Sequence, residues 1–172
     1  IEHALLGYAA MLVGVPHAPV SPAYSLVSKD FAKIKHIVQL LQPGLVYASD
    51  GARFAPAIAA ALDPSIPVLV RANAVPGRDT RFWGSLVQTP VTPALAVAAA
   101  AVTPDSVAKL LFTSGSTGMP KAVITTQRML TCNQEMIRTA LAFLADSSPV
   151  LIDWMPWNHV AGGSHNLGIA LY

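Results

Sequence analysis

The chain has 172 residues, long enough for one domain with a sizeable core or for part of a larger one. Hydrophobic residues make up 53% and charged residues only 12%, which argues against disorder, although much of the apolar count is alanine. A net charge of +2 with no Lys/Arg run argues against nucleic acid as a partner and leaves small-molecule chemistry as the expectation.

In chain order, Ala4, Leu5, Tyr8, Ala9 and Leu12 recur at helical spacing, and Gly14 follows as a stop. "GVPHAPV" predicts a short extended segment, because its prolines exclude a helix interior, and "SPAYS" predicts a loop. Ser28 is placed to cap a helix with Phe31, Ile34, Ile37, Val38 and Leu41 on one face, ended by Pro43-Gly44. "LVYAS" predicts a strand, Phe54 to Leu62 a helix, and "IPVLV" another strand. Alternation of this kind, with near-continuous apolar strands, predicts an α/β fold with a partly parallel sheet covered by helices.

Arg71 to Pro93 breaks into Pro, Gly and charge and predicts a long loop in which Arg71, Arg78 and Arg81 are solvated. Ala94 to Ala101 predicts one or two helical turns, Leu110 to Phe112 a strand, and Ala122 to Thr125 a second one. Gln127 to about Ala145 predicts a helix carrying Leu130, Met136, Ile137, Leu141 and Leu144. "VLIDWMPW" reads as a buried strand, and Gly162-Gly163 leads into a last helix.

Cys132 is the only cysteine, so no intrachain disulfide can form and a cysteine-based metal site is not expected; its plain reading is a small core or helix residue. A lone thiol suits a cytoplasmic location. No run approaches the roughly 20 apolar residues that span a bilayer, and no signal peptide is visible at the N-terminus. The chain opens on Ile1 inside a helical pattern and closes on "NLGIALY" inside another, which reads as an internal piece of a longer protein.

Between two apolar, β-prone runs lies "FTSGSTGMPKAV". Thr113, Ser114, Ser116 and Thr117 offer hydroxyls, and Gly115 and Gly118 let backbone N–H groups approach an oxyanion. Lys121 adds a point charge suited to phosphate, behind a stiffening Pro120. The combination is that of a phosphate clamp. It is not a Walker A loop, because Gly118 stands three residues before the lysine and Ala122 follows it. The plain alternative is a polar hairpin turn with an incidental surface lysine.

The stretch closely resembles the signature of adenylate-forming enzymes, the AMP-binding superfamily of acyl- and aryl-CoA ligases, luciferases and peptide-synthetase adenylation domains. Ten consecutive residues, Phe112 to Lys121, fit the pattern [YF]-T-S-G-[ST]-T-G-x-P-K. "DWMPWNHVAGGSHN" resembles the family's next motif, whose histidine lies beside the acyl substrate and adenylate. "VGVPHAPVSPAYSL" is similar to the corresponding stretch of bacterial feruloyl-CoA synthetases. Ala122 departs from the glycine most members carry, and Gln127 from a common histidine.

The resemblance implies a fold, a reaction and a set of residues. Residues 1–172 would be an incomplete part of the AMP-binding N-terminal domain, without the C-terminal lid domain. The reaction would join a carboxylic acid to ATP, giving an acyl-adenylate and pyrophosphate, and then to CoA. The acid would be an aromatic hydroxycinnamate such as ferulate, with a place in phenylpropanoid catabolism. A fatty acyl-CoA ligase, a peptide-synthetase adenylation domain and a catalytically silent nucleotide-binding fragment are the alternatives.

Thr113, Ser114, Gly115, Ser116, Thr117, Gly118 and Lys121 would grip the β- and γ-phosphates, with ATP, Mg²⁺ and CoA as co-substrates and cofactor. The acidic residue on Mg²⁺, the aspartate on the ribose, the hinge and the C-terminal lysine would fall beyond Tyr172, so no metal ligand is assigned within the chain. His159, with Lys121, is the expected catalytic residue. An isolated histidine is usually satisfied or exposed, and only the motif singles this one out; Trp157 and Asn158 beside it suit an aromatic acid. His3, His17, His36 and His165 are expected to be structural, and the separation of His159 from His165 is not that of a helical ligand pair. Trp154 and Asn166 could line the acyl pocket, Trp154 more simply being core.

Overall fold

Val46–Asp50 (β1) and Val68–Ala72 (β2) are short runs that each open on valine, and in the computed structural model they lie side by side as parallel strands. The structure describes residues 1–113, 118–146 and 150–172. The chain forms two compact units. One comprises Ile1–His3, Ser21–Thr92 and Ser114–Lys121, and the other Ala4–Val20, Pro93–Thr113 and Ala122–Tyr172.

In the first unit the strand order is β1-β2-β3, with β3 at Thr80–Phe82 also parallel to β2. Val46 faces Val68 and Ala48 faces Val70 across the first pair; Val68 faces Thr80 and Val70 faces Phe82 across the second. Val68, Leu69 and Val70 are all buried, so the central strand is covered on both faces, as a continuous apolar run requires. Ile58 and Leu62 of α4 (Gly51–Ala61) and its exit pack with Ala48, Val68, Val70 and Val75 to make the core.

The β1–α4 turn is set by polar geometry. Asp50 Oδ1 accepts the Arg53 N–H at 3.1 Å and caps the helix, while Asp50 Oδ2 accepts from the Asn73 amide at 2.9 Å. Gly51 donates its N–H to Asn73 O, and a Cβ there would run into that same carbonyl. Helix α3 (Ala32–Leu41) carries the predicted face, with Ile37 buried. Ser28 Oγ accepts the Phe31 N–H at 3.1 Å, and Asp30 Oδ1 the Ala32 N–H at 3.1 Å. The N-cap position itself is Phe31, at φ 56° and with no side-chain cap bond, so Ser28 holds the turn before the helix rather than capping it as expected.

Two expectations in this unit are corrected. "SPAYS" contains one helical turn, α2 (Ala23–Leu26), following Pro22 with its φ already at −56°. Arg71 to Pro93 is not a single loop, since it holds β3 and a short helix α5 (Trp83–Leu86). Three residues are too few to show alternation, so β3 is invisible to sequence periodicity. Arg71 and Arg81 are exposed, as expected of solvated charge, whereas Arg78 is half-buried. Arg78 donates to the carbonyls of Leu62 (2.8 Å) and Ile66 (3.3 Å), Arg71 pairs with Glu2 at 3.1 Å, and Arg81 sits in the ladder beside Leu69.

In the second unit the part of α1 (Glu2–Leu12) from Ala4 onward ends ahead of Gly14, whose φ is +74°. The predicted extended segment forms a parallel bridge from His17 to Lys109 on β4 (Val107–Thr113), and β4 pairs with β5 (Lys121–Thr126). Helix α6 spans Pro93–Ala100. Helix α7 (Gln127–Ala140) is capped by Thr126 and followed by a 3₁₀ turn over Ala142–Ala145. Gln127, where the family pattern often has histidine, donates its side chain to Met11 O at 3.0 Å and its N–H to Ser106 O at 3.0 Å.

The expected buried strand "VLIDWMPW" is not one. Val150 is 93% exposed, Ile152 98% and Trp154 87%, and among the described residues no strand pairs with them. An apolar run becomes a strand only when a neighbour satisfies its backbone, whatever its propensity. The core reading of Trp154 fails with it. The last segment is a π-helical turn, Ala161–Asn166, leading into α8 (Leu167–Leu171). Among the described residues no helix is long and apolar enough to cross a membrane.

Candidate active site

Thr113 is the exposed last residue of β4. Ser114, Gly115, Ser116 and Thr117 lie outside the described residues. Beyond them Gly118 holds φ at +82°, the left-handed region that favours glycine, and Met119 is exposed. Pro120 is fully buried, and its carbonyl lies 3.1 Å from His36 Nε2, which donates to it in the Nε2–H tautomer. The exit of the loop is therefore anchored within the first unit by a proline and by a histidine that sequence reasoning left merely structural. Lys121, next along, is exposed at the first position of β5. An anchored backbone carrying a solvent-facing ammonium is suited to meeting a polyanion.

His159 belongs to the second unit. It follows a tight turn in which its N–H donates to Pro156 O at 2.9 Å, with Trp157 and Asn158 half-buried and His159 exposed. The Ala161 N–H approaches His159 Nδ1 at 3.4 Å, which makes Nδ1 the acceptor and leaves Nε2–H free to donate to an oxygen of a ligand. The following glycines have a steric purpose. A Cβ on Gly162 would lie 2.6 Å from Pro156 O, and one on Gly163 would overlap the Trp157 carbonyl. The π-helical turn can therefore fold directly onto the Pro156–Trp157 backbone.

Asp153 and Asn166 are partners. Asp153 Oδ1 accepts from the Met155 N–H (3.0 Å) and from Asn166 Nδ2 (2.9 Å), and these bonds, the backbone one first, hold its carboxyl below the usual range. His165 is exposed, and among the described residues no group of three or more His, Cys, Asp or Glu side chains could hold a metal.

Sequence reasoning missed two residues that hold the His159 turn. Lys109, on β4, is only 5% exposed. Its Nζ donates to Gly163 O at 2.7 Å and to Ser164 Oγ at 3.3 Å, and lies 5.9 Å from the centre of the Tyr8 ring. Gln134, the one residue of α7 that is buried, donates to Ser164 O at 2.9 Å. Both border a cavity of about 610 Å³, with Tyr8, Met11, Leu130 and Leu171 among its apolar walls. A polar residue at a strand or helix position facing apolar neighbours was the available signal for both.

Burial pushes the Lys109 ammonium down to about 8. In the unfolded chain it titrates near 10.4. Between these values the unfolded state binds more protons, so this lysine makes stability rise with pH. Its charge weighs against folding below about 8, and that cost is relieved as pH climbs toward its unfolded value. Denaturant unfolding from pH 7.5 to 10.5 checks the expectation (flanking the two values), with the stability of the native chain gaining on that of Lys109→Met as pH rises.

A parallel sheet packed against helices places the chain among α/β proteins. The family model for AMP-binding enzymes matches residues 1–172, and the chain belongs to that family. Over 69 residues, 40% of the chain, it is 41% identical to the medium-chain-fatty-acid–[acyl-carrier-protein] ligase TtuA of Teredinibacter turnerae, of which the match covers 10%. Among solved structures it is similar to a malonyl-CoA ligase ternary product complex with methylmalonyl-CoA and AMP, with 26% identity and a TM-score of 0.58. That match covers 99% of this chain and 31% of the other. A keto acid-selecting NRPS module with adenylation, ketoreductase and pseudo Asub domains matches at 25% identity and a TM-score of 0.66, over 98% of this chain and 13% of the other. The chain thus spans a third or less of the length of each of these relatives.

Proposed function

We propose that residues 1–172 are part of the AMP-binding N-terminal domain of an ATP-dependent acid–CoA ligase acting on an aromatic hydroxycinnamate such as ferulate. The observation that carries the reading is the exposed Lys121 behind a buried, hydrogen-bonded Pro120, in a chain matched throughout by the AMP-binding family. A carboxylate oxygen of the acid attacks the α-phosphorus of ATP; the P–O bond to the β-phosphate breaks, and pyrophosphate leaves. The CoA sulfur then attacks the activated carbonyl, AMP departs with the C–O bonding pair, and the thiol proton passes to solvent or to AMP. Negative charge builds on the phosphates in the first step, so preorganised donors are the main contribution of the protein.

Thr113 to Gly118 and Lys121 hold the β- and γ-phosphates in this reading. His159 donates from Nε2 to the acid or adenylate, and Trp157 and Asn158 border the acid. Mg²⁺ supplies charge neutralisation on the phosphates when bound, and no described residue is assigned to it.

The aromatic acid rests on Trp157 beside His159 and on the resemblance of "VGVPHAPVSPAYSL" to feruloyl-CoA synthetases. The identity shared with a ligase named for medium-chain fatty acids and acyl carrier protein favours a second reading, an alkyl acid in the same site. A substrate panel on the full-length parent decides between them. Hydroxycinnamate-dependent pyrophosphate release followed by CoA thioester is expected. Release with medium-chain alkanoates, amino acids or keto acids alone overturns the aromatic assignment, and ATP binding without turnover by any acid leaves only a nucleotide-binding module.

A further inference from the structure

The backbone of the His159 turn is held by side chains from outside it. Gly163 donates its N–H to His159 O at 2.8 Å, and the carbonyl of the same glycine accepts from Lys109 Nζ at 2.7 Å. Ser164, next along, is held twice, by Lys109 at its hydroxyl and by Gln134 at its carbonyl. We propose that Lys109 is a positioning residue for His159, fixing through Gly163 the backbone from which the imidazole projects. The inference rests on the assignment of His159 to the acid and adenylate.

An amine is a poor choice for Lys109 if the position serves only packing. It stands in the middle of β4, with Ala108 fully buried beside it and Tyr8, Met11 and Leu130 around the same cavity. Sinking an ammonium into such surroundings carries a desolvation penalty that an aliphatic side chain would not. Among the described residues no carboxylate pairs with it. What the ammonium gains instead is a carbonyl and a hydroxyl of one turn, both close to His159. No side chain fits at Gly163, because a Cβ there would overlap the Trp157 carbonyl. Gly163 is thus tied at its N–H to His159 and at its carbonyl to Lys109.

The test is a double-mutant cycle in the full-length parent, with Lys109→Met, His159→Ala and the pair, read as kcat and the KM for acid and for ATP. The expected result is a KM for the acid raised about tenfold by Lys109→Met, with kcat lowered and the KM for ATP unchanged. Loss of folded enzyme would instead lower the rate with both KM values intact. Lys109→Arg should restore part of the loss, and Lys109→Met should add little once His159 is alanine. Full additivity, or native kinetics for Lys109→Met beside a defective His159→Ala, overturns the positioning role and leaves the His159 assignment standing. Native kinetics for His159→Ala overturns that assignment and the inference with it. If Lys109→Met does not fold, Gln134→Leu loosens the same turn from α7 and is read by the same cycle.

Discussion

Lys121→Ala is expected to slow ATP–pyrophosphate exchange in the full-length parent by about a hundredfold or more. The argument begins with charge. At 4 Å two unit charges attract by about 4 kcal/mol at the effective dielectric of a protein surface, and a departing pyrophosphate carries more than one negative charge. Removing a single preorganised donor from a site of developing charge typically costs about 10²–10³ in kcat. Lys121 is exposed and no described carboxylate competes for it, so its ammonium is available to a ligand. For the same reason the substitution should leave thermal unfolding almost unchanged, which separates a catalytic from a folding defect. Lys121→Arg should fall between native and alanine, because the guanidinium keeps the charge but not the compact point geometry. An exchange rate equal to the native one in Lys121→Ala would remove the lysine from the phosphate site and return the loop to a polar hairpin turn.

The parallel strands and long helices were legible because their signals are local and strong. β1, β2 and α3 follow from apolar runs and helical spacing alone, whereas α4 begins at Gly51, three residues before the expected Phe54, behind an Asp50 cap that the spacing does not announce. Elements whose existence depends on a distant partner were not legible. β3 is a strand because β2 lies beside it, and its three residues carry no pattern of their own. Conversely "VLIDWMPW" has every local sign of a strand and lacks a described partner, so it stays irregular with Ile152 and Trp154 exposed. On α7 the periodic residues are not the buried ones: Leu130 and Ile137 are half-buried and Met136 is 62% exposed, while Gln134, polar and passed over, is buried.

The site divides in the same way. Thr113, Gly118 and Lys121 stand out in one motif and His159 in another, each through resemblance to the family pattern. The residues that hold them do not. His36 meets Pro120 across 84 positions of sequence, and Lys109 meets Gly163 across 54. No periodicity or motif encodes a hydrogen bond at that separation. A lysine inside an apolar strand is the closest the sequence comes to announcing one, since an unpaired ammonium would not be buried there without a function.

Gly163→Ala is expected to damage both stability and activity, and the two losses have one cause. The added methyl would overlap the Trp157 carbonyl, which is backbone and cannot rotate aside as a flexible side chain can. Either the π-helical turn or the Trp157–His159 turn has to shift. Overpacking of this kind typically costs about 1–3 kcal/mol, seen as a lower denaturation midpoint. The shift also pulls on two bonds at once, from Gly163 N–H to His159 O and from Lys109 Nζ to Gly163 O. A misplacement of about 1 Å at a reacting group can cost about a hundredfold in rate. Acid-dependent exchange should therefore fall by more than the lost stability explains, with the KM for ATP unaltered. Gly44→Ala is the matched control, because nothing lies within 4 Å of a Cβ built there and its φ is not in the left-handed region. If Gly163→Ala behaved like Gly44→Ala in both measurements, the close approach would have no energetic weight and the turn would not depend on it. A loss of stability with native kinetics would leave the glycine a packing residue alone and would argue that the His159 turn keeps its geometry by other contacts.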